Sequence, residues 1–336
     1  MKTKLKDIAK IAGVSIKTVS RALNDYPDIN ASTKDRILKI ASDLSYSTNL
    51  LAKGLRQQKT TTIGYVFPTI TNEFYWAVAY SVEQELRKYN YSILTSFSDY
   101  DQEKEIDILK LLISRQVDGI ILAAFDKSSN FIKKVIEDYK VPVVVIDNEV
   151  NGVKTNLVLH DNENGGYILT KHLVEHGYKN IACITGKSGE TSGAKRLSGY
   201  KKALVESKIP IRKDYIKISD WTKLGGYNSA VELFKNTKIK PRALFIGSSV
   251  MALGVLKALR EMNLSIPDEV AIVSFDNLNF VESMNPPLTT LEKSESKIGE
   301  IAAKNLYENM VNKDITGFKK ILIKAGLCIR ESCGCK

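Results

Sequence analysis

The sequence predicts an α/β protein: an N-terminal three-helix, helix-turn-helix head, then a core of two doubly wound parallel-sheet subdomains. Three observations carry that expectation. Apolar residues recur at helical spacing through residues 5–44. Beyond residue 60, short β-rich apolar runs alternate with amphipathic segments, the pattern of parallel strands covered by helices on both faces. That second stretch is also longer than one doubly wound core usually encloses, which asks for two similar subdomains.

In the head, Leu5, Ile8, Ala9 and Ala12 fall at i, i+3, i+4 and i+7 and give a first helix one apolar stripe. Gly13 suits a turn with positive φ, and Ser15 suits the cap of a second helix. On that helix Val19, Ala22 and Leu23 share the inward face, while Lys17, Thr18 and Arg21 point away, as a recognition helix requires. A third helix, Ala31 to Leu44, follows an Asn30 cap and adds Ile37, Ile40, Ala41 and Leu44 to the small core. Residues 1–60 hold twelve Lys/Arg against five Asp, so +7 of the chain's +11 sits there, the footprint of a polyanionic partner. A lysine-rich solubilising tail would lack the capped, periodic pattern.

Strands are expected at Thr62 to Phe67, Ser92 to Phe97, Gly119 to Ala123, Val143 to Asp147, Asn180 to Thr185, Ala243 to Gly247 and Val270 to Phe275. Helices are expected between them, among them Glu73 to Lys88, Lys104 to Ser114, Asn164 to Glu175, Ala194 to Glu206 and Met251 to Met262. Ligands of open α/β sheets bind beyond the carboxyl ends of strands, which directs attention to residues 69–74, 147, 188–196, 220–221, 248–249 and 276.

Several motifs run along the chain in order: DIAKIAGVS and TVSRALN in the head, Tyr46, Asn49, Ala52 and Leu55 in the connector, and TTTIGYVFP opening the core. VDGIIL at 117–122, SFDN at 274–277, PPLTTL at 286–291 and IRESC at 329–333 follow. From end to end the chain resembles the LacI/GalR family of bacterial transcriptional regulators. The resemblance implies a DNA-binding domain at 1–48, a hinge helix at 49–60 and a periplasmic-binding-protein-like core at 61–336. The core's subdomains would be about 61–161 with 293–324, and 162–288 with 326–336. It further implies that Leu55 wedges into the central minor-groove step of an operator. Thr48, where the family usually has proline, and Gly54 weaken the free hinge helix.

On this reading Ile16, Lys17 and Arg21 set base preference, while Ser15, Thr18, Ser20, Asn24 and Tyr46 hold phosphates and Asn49, Ala52, Lys53 and Leu55 act from the hinge. Effector contacts carried over from the family are Phe74 and Trp221 for a ring face, Arg196, Asp147 and Asp276 for polar groups, and Ser192 and Ser248 beside them. One departure stands out. Many relatives have Asn-Asp before MALG, whereas this chain has Gly247-Ser248-Ser249-Val250, which removes a carboxylate and an amide from the cleft.

An enzyme is not expected, since no P-loop, Gly-x-Ser-x-Gly or His-Glu-x-x-His occurs and the Gly-Gly-Tyr runs at 165–167 and 225–227 lack a dinucleotide fingerprint. No cofactor or metal is expected either. His172 and His176 share a helical face without a third ligand and read as surface histidines; Cys183, Cys328, Cys333 and Cys335 read as reduced thiols. No signal-peptide pattern and no 18-residue apolar run occur, so a cytoplasmic chain without membrane contact is expected. The expected protein is thus a homodimeric regulator, a repressor of palindromic operator DNA controlled by a sugar or related metabolite. Two alternatives stand beside it. Control by a protein partner is separated by titrating metabolites and phosphoproteins independently, and a receptor lacking DNA binding by its loss of salt-sensitive operator affinity.

Overall fold

The computed structural model describes residues 3–46, 59–124, 128–187, 189–292, 294–312 and 317–335. The chain divides into two compact units, residues 1–60 and 61–336. The first holds α1 (Leu5–Ala12), α2 (Ile16–Leu23) and α3 (Ala31–Asp43). Gly13 ends α1 at φ 64°, a left-handed conformation that any side chain would strain, and lets α2 start three residues later. Ser15 Oγ accepts the Thr18 N–H at 3.0 Å, and Asn30 Oδ1 caps α3 by accepting the Ser32 N–H at 2.9 Å. Ile8, Val19 and Ile37, one from each helix, meet with no exposed surface. A core this small owes its stability to few side chains.

The second unit contains two six-stranded sheets. The first has the order β11-β5-β4-β3-β1-β2, built from β1 (Thr62–Phe67), β2 (Ser92–Phe97), β3 (Gly119–Ala123), β4 (Val143–Ile146), β5 (Asn156–His160) and β11 (Lys320–Ile323), all parallel. The second has the order β12-β10-β9-β8-β6-β7, from β6 (Ile181–Thr185), β7 (Ile216–Ile218), β8 (Ala243–Ile246), β9 (Ala271–Ser274), β10 (Thr289–Leu291) and β12 (Leu327–Cys328). Only β12 runs antiparallel to its neighbour among the described strands. Helices cover both sheets: α4 (Glu73–Arg87), α5 (Gln102–Ser114), α6 (Ser129–Glu137) and α11 (Glu295–Asn312) on the first, α7 (Asn162–Glu175), α8 (Thr191–Glu206), α9 (Lys223–Asn236) and α10 (Ser249–Glu261) on the second. The chain passes between the sheets three times: after β5, between β10 and α11, and between β11 and β12.

The expected strands are present, because β1, β3, β8 and β9 are buried on both faces and read as continuous Val/Ile/Leu runs. The helices begin earlier than expected: α7 at Asn162, α8 at Thr191 and α10 at Ser249. The first turns of α7 and α8, Asn162-Glu163-Asn164 and Thr191-Ser192-Gly193, are polar and carry no apolar period, while the Ser248 cap accepting the Val250 N–H sets the start of α10. No described helix is long and apolar enough to cross a membrane.

Candidate functional site

The outer face of α2 is the first candidate. Val19 and Ala22 point inward, so Ile16 stands 51% exposed with Lys17 beside it. Arg21 is already engaged: Nη2 lies 2.5 Å from Asp28 Oδ2, Nε donates to Oδ1 at 3.1 Å, and the guanidinium sits 4.7 Å over the Tyr26 ring. The hydrogen bond from Arg21 holds the Asp28 carboxyl below its usual range. Thr18 Oγ1 and Ser15 Oγ share a hydrogen bond of 2.9 Å at the helix start, and Ser20 is half-buried. Asn24 Nδ2 donates to the Ser20 carbonyl at 2.7 Å and closes the helix end, while Tyr46 packs partly buried on the head core. Asn49, Ala52, Lys53 and Leu55 lie outside the described residues.

The second candidate is a solvent-open cleft between the two sheets, at the carboxyl ends of their strands, the usual place for a small-molecule site in such a fold. Phe74, Asp147, Ser192, Arg196, Trp221, Ser248 and Asp276 all line it, together with Tyr75, Tyr100, Asn148, His160 and Glu190, which sequence reasoning did not single out. Each arrives from the carboxyl end of a strand or the helix that follows. Phe74 and Tyr75 open α4, where Asn72 Oδ1 accepts the Phe74 N–H at 3.0 Å. Asp147 follows β4 at φ 68°, and its Oδ2 accepts the Tyr75 hydroxyl at 3.0 Å and Asn148 Nδ2 at 3.1 Å.

On the other side Arg196 is 5% exposed. Its Nε donates to Asn162 Oδ1 at 2.8 Å, its Nη1 bonds the Gly247 carbonyl, and its guanidinium lies 3.6 Å over the Phe275 ring. Asp276 Oδ1 stands 3.9 Å from Nη1, and its Oδ2 accepts the Ser249 N–H at 3.2 Å. Ser248 caps α10 through Val250, and the Ser192 N–H donates to Asn148 Oδ1 across the cleft at 3.0 Å. Trp221 adopts φ 67°, rare for a bulky side chain. Its indole bonds Glu190 and fills the space over Gly186, where a Cβ would come within 1.8 Å of Trp221 Cε2.

Burial pushes the carboxyls of Asp147 and Asp276 above their ordinary value, and the nearby Arg196 charge pulls against that rise in both. Glu190 is also raised by burial. Burial, reinforced by Arg196, pushes His160 down to about 3, so the imidazole is neutral. Its Nε2 meets Ser294 Oγ at 2.7 Å, while Nδ1 is buried with no hydrogen-bond partner among the described residues. Three carboxyls, one guanidinium, an unpartnered ring nitrogen and several aromatic faces suit a small polyhydroxylated ring.

The expectation for the other two histidines needs correction. His172 is buried rather than on the surface, and Cys333 and Cys335 bring further donors to the histidine pair. Sequence spacing reads local pairs only, and these groups lie some 160 residues apart until the tail folds back.

A helix-turn-helix head attached to a two-sheet ligand-binding core defines a ligand-responsive transcription regulator. The model of bacterial regulatory proteins of the lacI family matches residues 4–49, and that of a periplasmic binding protein-like domain matches residues 170–333. The chain is 35% identical over 336 residues to catabolite control protein A of Priestia megaterium, covering 99% of each chain. It is 32% identical over 306 residues to the transcriptional repressor PurR of Glaesserella parasuis serovar 5, covering 91% of this chain and 89% of that one. The lac repressor dimer bound to operator and the anti-inducer ONPF superposes with a TM-score of 0.88 at 22% identity, over 99% of each chain. The chain belongs to the lacI family of bacterial regulatory proteins, and is a DNA-binding repressor with an effector-binding core.

Proposed function

We propose that this repressor acts in the cytoplasm as a homodimer on a palindromic operator, and that its effector is an uncharged sugar bound in the cleft. The observation that carries the effector class is the charge of the lining: Asp147, Glu190 and Asp276 face a single guanidinium, Arg196. A sugar phosphate would add anionic charge where carboxyls already outnumber cations. A neutral sugar instead offers hydroxyl donors to the carboxyls and to His160 Nδ1, and a ring face to Phe74 and Trp221. Lys17 and Arg21 are the base-reading residues of the head, with Ile16 beside them. Dimerisation is supported by Trp76 and Tyr80, exposed one turn apart on α4.

Thermal-shift titrations with neutral mono- and disaccharides, their phosphorylated forms and nucleobases test the reading, followed by gel shifts on operator selected from random DNA. A neutral sugar is expected to raise the unfolding midpoint and change operator affinity. A phosphorylated sugar that binds more tightly than its parent would sink the assignment, and a response to a phosphoprotein alone would favour control by a partner.

A further inference from the structure

The C-terminal tail carries a second, unrelated constellation. His172 and His176 stand one turn apart at the end of α7, with ring centroids 4.4 Å apart. The tail returns to that end: Cys335 Sγ lies 3.4 Å from His172 Nε2, 2.9 Å from His176 Nε2 and 3.0 Å from Cys333 Sγ. The donor atoms of His172, Cys333 and Cys335 all lie within 4.8 Å of one another.

Several features organise these donors in advance. His176 Nδ1 bonds the His172 carbonyl at 2.8 Å. A carbonyl only accepts, so the proton sits on Nδ1 and the Nε2 lone pair faces the sulfur, the arrangement metal-bound imidazoles use. Gly334, at φ 85°, turns the chain so that the thiols on either side of it converge. Ser332 anchors the tail to the second sheet, its Oγ donating to the Ile272 carbonyl at 2.7 Å and accepting the Thr289 N–H at 2.8 Å.

We propose that His172, His176, Cys333 and Cys335 form a Cys2His2 site for a zinc-class divalent cation that clips the C-terminal tail to α7. Bond lengths of about 2.3 Å to sulfur and 2.0–2.1 Å to nitrogen put the corners of a tetrahedron roughly 3.3–3.8 Å apart. The three separations from Cys335, 2.9–3.4 Å, are close to that; His176, exposed at the end of α7, joins through Cys335 and would swing in to complete the tetrahedron. Soft sulfur and imidazole donors select zinc over magnesium or calcium. On binding, each thiol releases its proton to solvent and becomes a thiolate ligand, while both imidazoles bind neutral. No oxidant takes part.

The test uses the full chain, reduced and stripped by chelator, titrated with Co²⁺ and then Zn²⁺. The expected result is one ion per chain, with thiolate-to-cobalt charge transfer and tetrahedral d–d bands that Zn²⁺ abolishes, and a raised unfolding midpoint with Zn²⁺. Loss of an outer-shell partner alone costs about 10–100-fold in metal affinity, so Cys335→Ser and His176→Ala should exceed that loss while Cys328→Ser binds as the parent does. Far-UV circular dichroism shows that each variant folds. Absence of saturable Co²⁺ uptake by the reduced parent, or an unchanged cobalt spectrum in Cys335→Ser, overturns the proposal.

Discussion

Replacing Arg196 by methionine keeps the stem that packs in the cleft wall and removes the charge. The side chain is 5% exposed, stacks on Phe275 and stands 3.9 Å from Asp276, itself 8% exposed. Breaking a buried pair by removing one partner costs about 3–5 kcal/mol, because the other charge stays buried without compensation. The Gly247 carbonyl and Asn162 Oδ1 also lose their donor. A loss of about 3–5 kcal/mol is therefore expected, a large share of the roughly 5–15 kcal/mol that separates native from unfolded protein. Urea unfolding followed by circular dichroism measures it, and Asp276→Asn added to Arg196→Met should restore part of it.

The pH dependence provides the sharper check. Asp147 and Asp276 have folded values above their ordinary one, so their contribution to stability is present below that value and is lost as pH rises through the folded value. Arg196 limits the rise; without it the folded values move higher and the loss grows. His160, at about 3 in the folded state, contributes stability above 6.5 that disappears as pH falls toward 3. Removing Arg196, which helps depress it, lessens that acid loss. Both effects make the gap between parent and Arg196→Met wider at pH 7 than at pH 4.5. A variant within about 0.5 kcal/mol of the parent at pH 7, or a gap that widens toward acid, would refute the reasoning.

Gly186→Ala places a methyl group where the Trp221 indole lies, and calorimetry should show weaker effector binding with operator affinity retained. Lys17→Ala should alter preference by about 1–3 kcal/mol at one operator position per half-site, read by selection on random DNA. Asp28→Asn releases Arg21 from its ion pair and should strengthen operator binding, most visibly at low salt, in a fluorescence anisotropy titration. Ile37→Ala opens a cavity in the head and should cost about 2–5 kcal/mol, melting residues 3–46 before the core loses its circular dichroism signal.

What the sequence made legible follows the physics of its signals. β3, Gly-Ile-Ile-Leu-Ala, and β8, Ala-Leu-Phe-Ile, are buried along their whole length and stand out from their surroundings. β7 is three partly exposed residues at a sheet edge, β12 is two residues, and β5 is framed by Asn156 and His160; none forms a run. Without β5 as a strand, His160 could not be placed at the end of one, and its burial in the cleft went unseen. Tyr100 entered through a loop at φ 59°, which no periodicity describes. By contrast Asp147 and Asp276 stand within two residues of the ends of β4 and β9, strands that the sequence showed, whereas Trp221, beyond the unseen β7, was reached through the family resemblance. Arg21 was read correctly as pointing away from the head core, but its pairing with Asp28 depends on the turn after α2.

The cleft also shows how a bound ligand can reach the contacts that join its walls. Asp147, held at positive φ, is followed immediately by Asn148, whose Oδ1 accepts the Ser192 N–H, and by Glu149, whose N–H donates to Thr191 Oγ1 at 2.8 Å. Glu149 further pairs with Lys195 of α8 and, at 2.8 Å, with Lys320 of β11. One turn of backbone after β4 therefore presents a carboxyl to the cleft and carries bonds to α8. Arg196, on α8 itself, presents the opposing charge to the same space. A ligand shifts an equilibrium only through different affinities for its two states; on the effector reading proposed above, a hydroxylated ring spanning Asp147 and Arg196 would be bound fully only while these cross-cleft bonds are in register. On that reading, ligand binding would act on the two segments that these bonds join, the turn after β4 and the first two turns of α8.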